Sequence, residues 1–348
     1  MHVFYRNRLV RAFLRPSRIQ DFHSLPIADF SPADDLAMAG ILTNPSYDGP
    51  LPIFNCTLSL LSSKDLFWQE RKGCSFSFTP LFSGFDTYPG TIRVGYNPGA
   101  YVNTEAYAQQ WDEPLTLGAA MALSGAALTP HFGKGSSRPA AFLMTMLNLR
   151  LGRWLPNPWR ADADRLPRHR LLTLIREILG LTTSLGDYVY VTDGGHFDNL
   201  AIYELLRRRC ATVVAVDGGE DKGLSCTDLA TAIEKCRTDF GAEIELNVKQ
   251  MREELARQGW TSTRIRYSGE TQPAEGRFVY IKACLVGNES LDVQVYKSRN
   301  AAFPHHSTTN QWFGETQFES YRMLGEIRVR GAIQSLECAD ETRDTPGN

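Results

Sequence analysis

Runs of hydrophobic residues divide the chain into strands that are separated by amphipathic segments. The clearest runs lie at 188–192 and 211–216, and both are rich in β-branched residues, which favour strands. Between them, Asp198 or Asn199 is predicted to cap a helix that ends near Arg209. Strand, helix and strand within about 30 residues predict a βαβ unit with parallel strands.

The same patterns predict further elements along the chain. The predicted strands lie at 51–60, 67–71, 74–80, 243–248 and 277–283. The predicted helices lie at 115–127, 141–150, 171–179 and 229–240, with one more through Phe318, Tyr321 and Leu324. Residues 83–110 are rich in Gly, Pro, Tyr and Asn and indicate a long surface loop, whereas 249–275 indicate a surface helix and loop.

Composition narrows the class of protein. The 348 residues are 43% hydrophobic, which is enough for one large core or two smaller ones. The net charge is −2, so we expect no nucleic-acid partner. The seven cysteines include no C-x-x-C pair, which favours free thiols in a reducing compartment. With no signal-peptide core and no apolar run that could span a bilayer, we predict a cytoplasmic protein.

Asp193 is the best-placed candidate for chemistry. It follows the strand at 188–192 and precedes Gly194 and Gly195, so its carboxylate lies where open α/β sheets bind ligands. A helix amino terminus nearby would keep it ionised. Two interpretations stay open here. The carboxylate orients or deprotonates a nucleophile in acyl transfer, or it only caps the amides of its turn.

A nucleophile is harder to locate than a base. The chain has no G-x-S-x-G sequence. Ser124 has small neighbours that permit close packing around its hydroxyl, but small residues also mark tight helix contacts.

Metal and cofactor sites are poorly supported. His196, Asp198 and the His305-His306 pair could ligate a metal, yet no single element supplies a full ligand set. Asp217, with Glu220 and Asp221, could hold a hard cation, but we interpret this acidic glycine turn as solvated. No phosphate-cradling glycine motif is present. We therefore predict no metal and no cofactor.

Several stretches resemble the patatin-like lipid acyl hydrolases, and are closest to the large bacterial patatin-like proteins related to the cytosolic (group IV) phospholipases. Residues 192–205 resemble the aspartate motif of that family. Four further stretches also resemble family motifs, and all five occur along the chain in the order that the family has. The four further stretches lie at 52–58, 70–80, 124–130 and 303–308. Together the matching stretches cover most of residues 1–325.

The resemblance implies a three-layer α/β sheet with helices on both faces and a Ser-Asp dyad with Asp193 as the base. Gly194, Gly195, His196 and Asn199 would support the turn and the substrate. In this family the oxyanion loop and the serine lie upstream of the segment matched by 52–80. We therefore expect the first strands and the nucleophile elbow to be missing, and a partial domain at 1–330 followed by a flexible polar tail at 331–348.

The predicted function is lipid acyl ester hydrolysis of the phospholipase or lysophospholipase type, on a lipid or ester substrate. Ser124 is the fallback nucleophile, and an upstream catalytic segment is expected to be required. A non-catalytic remnant or binding module of the same fold is the alternative. Peripheral contact with a membrane is left open by these observations.

Overall fold

A computed structural model describes residues 2–14, 32–45, 47–63, 66–86, 99–111, 114–125, 152–160, 173, 175–176, 179–269, 272–307 and 313–344. The chain forms two compact units, Met1–Asn199 and Leu200–Asn348. The partial domain over 1–330 stays a prediction. No helix in these described ranges is both long enough and apolar enough to cross a membrane.

The first unit is built on an antiparallel sheet. Its six strands have the order β4-β3-β2-β1-β6-β5, and each neighbouring pair is antiparallel. The strands are β1 (Phe54–Ser59), β2 (Gly73–Phe78), β3 (Phe82–Asp86), β4 (Gly99–Asn103), β5 (Arg153–Pro156) and β6 (Tyr188–Asp193). The helices are α1 (His2–Phe13), α2 (Leu66–Arg71), α3 (Thr104–Ala108) and α4 (Leu117–Ser124), and short 3-10 turns lie at Pro32–Asp34, Ile41–Thr43 and Gly194–His196.

Small residues on α4 allow it to pack closely against α1, as the sequence predicts. A Cβ at Gly118 would lie 2.3 Å from the side chain of Val10, so this contact needs glycine. Ala120 and Leu123 of α4 join the core that the sheet forms around Leu58 and Phe76. The core therefore fixes the end of α4, where Ser124 lies.

Two predictions for this unit were wrong. The segment 67–71 lies in helix α2, because Gln69, Glu70 and Arg71 are good helix formers, and Trp68 of this helix is buried. The loop predicted at 83–110 contains most of β3, together with β4 and α3. Helix α3 begins there because the Asn103 side chain caps it by accepting hydrogen bonds from two backbone amides. The helix predicted at 141–150 lies outside the described residues, as does most of 171–179.

The second unit contains a mixed sheet. Its strands are β7 (Thr212–Asp217), β8 (Glu243–Ile244), β9 (Trp260–Arg266) and β10 (Glu275–Lys282), and the helices are α5 (Tyr203–Arg207), α6 (Thr227–Phe240), α7 (Val248–Gln258), α8 (Leu291–Arg299) and α9 (Glu315–Asp344). The order is β7-β10-β9-β8, and β7 with β10 is the parallel pair.

The βαβ prediction was wrong in its pairing. β6 pairs with β1 and β5, whereas β7 pairs with β10. The helix also begins later than predicted, because Asp193 caps the 3-10 turn and Ala201 has a φ of 58° that interrupts the helical backbone. The polar segment 249–275 contains β9 in addition to the expected helix.

The carboxyl-terminal helix extends into the segment predicted as a flexible tail. α9 continues to Asp344, and Ala332 is buried against Val279 and Ile281 of β10. Leu336, four residues further along α9, packs on the same cluster. This apolar face accounts for helical structure after Gly331. The molecule is thus α/β as predicted, and the three-layer arrangement stays a prediction.

Candidate functional site

Asp193 ends strand β6 and also caps the turn that follows. Its Oδ1 accepts a hydrogen bond from the backbone N–H of Gly195. The residue lies on the strand next to the sheet edge, because β6 is between β1 and the edge strand β5, and Asp193 itself pairs with Cys56 of β1. The turn-capping role that the sequence allowed is therefore real, and it orients one carboxylate oxygen while the second is not used by that bond.

Position 194 has no room for a side chain, so it requires glycine. A Cβ on Gly194 would lie 2.4 Å from the backbone oxygen of Asn55 on β1, and one on Gly195 would meet Asn199 Oδ1 at 2.7 Å. Neither glycine has a left-handed φ, so the close approach of the neighbouring strand, rather than unusual backbone angles, explains the glycine pair.

Burial sets the charge state of the carboxylate. It raises the pKa of Asp193 to about 6, and the hydrogen bond from Gly195 opposes this shift. We expected the nearby helix terminus to keep the group strongly ionised, but a three-residue 3-10 turn follows it. Asp193 therefore has the pKa that suits a general base close to neutral pH.

The charge on Asp193 raises the pKa of two nearby side chains, one thiol and one phenol. Burial raises the pKa of the Cys56 thiol well above its usual range, and the Asp193 carboxylate adds to the shift. Burial and the same carboxylate also raise the pKa of the Tyr5 phenol. Tyr5 of α1 and Cys56 of β1 thus belong to the electrostatic surroundings of the carboxylate.

Ser124 lies close to this turn but bonds elsewhere. Its Oγ donates to the backbone oxygen of Asn55 at 2.6 Å, the same oxygen that Gly194 approaches. At the adjacent Gly125, a Cβ would lie 2.8 Å from the Tyr5 hydroxyl. The structure therefore brings Ser124 and the Asp193 turn to one carbonyl group, with the hydroxyl proton of Ser124 directed to that carbonyl.

Sequence reasoning missed Asn55, Cys56 and Tyr5. Asn55 is buried, and its Oδ1 accepts no hydrogen bond from the described residues. A buried polar side chain in an apolar strand is unusual, so the Asn within the predicted strand 51–60 was the available signal. Cys56 and Tyr5 carry no such signal, because only the pairing of β1 with β6 and the packing of α1 bring them to the site.

The remaining predicted site residues surround the turn. Burial lowers the pKa of His196 to about 4, so its imidazole is neutral at physiological pH. Asn199 Oδ1 lies against Gly195, because a Cβ on that glycine would be 2.7 Å from this oxygen. Across the described ranges, no group of three His, Cys, Asp or Glu side chains is placed to hold a metal.

In the second unit, His305 and His306 take part in local contacts. His306 Nδ1 bonds the Tyr321 hydroxyl at 2.9 Å, and His305 Nδ1 accepts from the backbone N–H of Asp221.

The second acidic glycine turn, which follows β7, differs from the first. Asp217 is buried and pairs with Lys282 at 2.9 Å, and it also accepts from the Tyr280 hydroxyl. Our interpretation of this turn as solvated was wrong for Asp217, because the ammonium and the phenol compensate its burial. Asp193 forms no comparable ion pair among the described residues, which distinguishes the two carboxylates chemically.

Comparison with known proteins supports the fold at a coarse level. No protein-family model matches the chain, and no curated protein matches it. Among solved structures, human GIVD cytosolic phospholipase A2 is similar, with a TM-score of 0.52 and 15% sequence identity. The match covers 88% of this chain and 46% of that chain, so this chain spans less than half of that structure. The fold is phospholipase-like.

Proposed function

We propose that this chain carries the base of a lipid acyl ester hydrolase of the phospholipase or lysophospholipase type. The observation that supports this best is a half-buried carboxylate, Asp193, at the end of a strand that is paired on both sides, where burial raises its pKa to about 6. The phospholipase-like fold supports the proposed reaction class by analogy. In this proposal Asp193 accepts the proton of a serine that attacks the ester carbonyl.

The local structure suits that role in three ways. The Gly195 amide holds one oxygen of Asp193, which limits the orientations of the carboxylate. Its pKa leaves the group mostly ionised at neutral pH while it retains proton affinity. Asp193 ends β6, which pairs with β1 on one side and β5 on the other, so the strand that carries the carboxylate is rigid.

The serine is proposed to come from a separate catalytic segment. The Ser124 hydroxyl donates a hydrogen bond to the Asn55 carbonyl, so this serine is a poor match for a nucleophile activated by Asp193. The similar phospholipase has more than half of its length without a counterpart here. We therefore expect weak or no turnover by this chain alone, and we expect activity when a segment with a G-x-S-x-G motif is supplied.

The test compares turnover of p-nitrophenyl esters and phospholipid vesicles by the chain, alone and co-produced with any in-frame upstream segment that carries the motif. Asp193→Asn should reduce the supplemented activity by about 10²- to 10⁴-fold, and Ser124→Ala should leave it within a few-fold. Full activity in Asp193→Asn would exclude the dyad. Loss of activity in both Asp193→Ala and Ser124→Ala, with the chain alone, would instead make Ser124 the nucleophile.

A non-catalytic binding module of the same fold is the second candidate, and the absence of G-x-S-x-G from the sequence favours it. Such a module would sediment with phospholipid vesicles and hydrolyse no ester, with or without the added segment. Binding that is unchanged by Asp193→Asn would support it. Vesicle binding also tests the peripheral membrane contact that the sequence left open.

A further inference from the structure

A pocket of about 510 Å³ opens on the sheet of the second unit, where β10 lies between β7 and β9. Charged and hydroxyl-bearing side chains line it, chiefly Thr212 of β7, Ser262 and Arg264 of β9, and Glu275 and Arg277 of β10. The volume is in the range of sites that hold a small molecule. The polar lining indicates that such a molecule would be charged.

The strand register brings two arginines of this pocket together. Arg264 of β9 lies directly opposite Arg277 of β10. The N–H of Arg277 donates to the carbonyl of Ala211, on the β7 side, and the carbonyl of Arg264 accepts from the N–H of Glu245, on the β8 side. The two arginines therefore form a non-hydrogen-bonded pair of the antiparallel ladder, which is the position where opposite side chains are closest.

This arrangement places like charges where they repel. Like charges that lie directly opposite each other destabilise a sheet. Glu275 lies 3.5 Å from Arg264, but both side chains are more than half exposed, so this ion pair is weak. The pocket thus holds two guanidinium groups and one carboxylate. A local arrangement that costs stability is expected at functional sites, and an anion between the two arginines would turn their repulsion into attraction.

We propose that this pocket binds a phosphate monoester, with the phosphate group between Arg264 and Arg277. The planar fork of a guanidinium group matches two phosphate oxygens at once. A phosphate monoester carries close to two negative charges at neutral pH, so one such group serves both arginines. Thr212 lies opposite Arg277 on β7, and its hydroxyl is a donor for a remaining phosphate oxygen.

An additional strand beside β7 would not account for this pocket. Such a strand would lie in the plane of the sheet, whereas side chains stand on its faces. The apolar part of the same face is already covered, because Val279 and Ile281 of β10 pack on Ala332 of α9. The face becomes polar at Arg277, two residues before Val279. Arginine is rarely placed where folding buries it completely, so this end of the face suits a polar ligand.

The first test titrates the intact chain with glycerol phosphate by calorimetry. We expect one saturable site with a Kd between about 10 µM and 1 mM. Arg264→Gln and Arg277→Gln should each weaken binding at least about tenfold, and Glu275→Gln should tighten it because a repelling charge is removed. Arg266→Gln is the matched control. It removes the same charge from the same face of β9, but Arg266 pairs with Glu245 and does not line the pocket, so binding should stay within about twofold.

A second test identifies the source of the phosphate group. Sedimentation with phosphatidylcholine vesicles only when they contain phosphatidic acid, and its loss in Arg264→Gln, would assign a lipid head group. Binding of glycerol phosphate without sedimentation would assign a soluble phosphate monoester. No saturation by either probe up to about 10 mM, equal weakening in Arg266→Gln, or unchanged binding in Arg277→Gln would each overturn the proposal. The pocket lies wholly in the second unit, so Asp193→Asn should leave this binding unchanged, and the results are independent of the hydrolase proposal.

Discussion

Cys56 on β1 lies directly opposite Asp193 on β6 in the antiparallel pair. The candidate base Asp193 therefore lies where β6 is hydrogen-bonded to β1. Its neighbours are the buried thiol of Cys56 and the backbone of Asn55. This setting, rather than a solvated loop, accounts for the raised pKa of Asp193. It also makes the protonation of Asp193 part of the stability of the fold.

The first prediction concerns the stability of Asp193→Asn. The pKa of Asp193 rises from 3.8 to about 6 on folding. The folded chain therefore prefers the protonated form, and the associated stability is lost as pH rises through about 6. Asn keeps an oxygen for the Gly195 amide and carries no charge. We expect Asp193→Asn to unfold with a free energy higher by on the order of 3 kcal/mol above pH 7, and with no advantage below pH 4.

Urea unfolding at several pH values between 4 and 8 measures this difference. A constant offset between Asp193→Asn and the wild-type chain over that range would contradict a half-buried carboxylate whose pKa is raised in the folded chain.

The second prediction has the opposite sign. The pKa of His196 falls from 6.5 to about 4 because of burial, so its stability contribution is present above pH 6.5 and is lost as pH falls towards 4. His196→Gln removes that loss. We expect the variant to gain stability relative to wild type by on the order of 3 kcal/mol between pH 7 and pH 4.

The same urea titration tests His196→Gln. Because the Asp193 and His196 effects oppose each other between about pH 4 and 6, the wild-type profile should be flatter than that of either variant. A wild-type profile steeper than both would exclude this pair as its main titrating groups.

Local pattern predicted the strand and turn around Asp193, because β-branched residues and a glycine pair act over a few positions. The local pattern failed at 67–71, where a helix with the buried aromatic residue Trp68 was predicted to be a strand. Asn55 and Tyr5 could not be predicted as neighbours of Asp193, since more than a hundred residues separate each of them from it. Such contacts depend on strand register and helix packing, which a single sequence does not specify.

The third prediction uses the two Asp-Gly-Gly turns as a matched pair. At Gly194 a Cβ would lie 2.4 Å from the Asn55 backbone oxygen, whereas at Gly218 nothing lies within 4 Å. A strand carbonyl cannot rotate away as a side chain can. Gly194→Ala should therefore lower the free energy of unfolding by about 1–3 kcal/mol or more, and Gly218→Ala should leave it within about 0.5 kcal/mol. Equal effects at the two turns would contradict the close approach of β1.

The fourth prediction concerns the buried pair of Asp217 and Lys282, whose side chains are 2.9 Å apart and almost fully buried. Lys282→Met leaves the Asp217 charge without its cation, so we expect a loss of about 3–5 kcal/mol in the free energy of unfolding. Asp217→Asn should also destabilise, and the double variant should lose less than the sum because both charges are gone. Arg237→Met, in an exposed pair with Glu243, is the control and should cost less than about 1 kcal/mol. Additive effects in the Asp217–Lys282 cycle would mean that the pair has no energetic coupling.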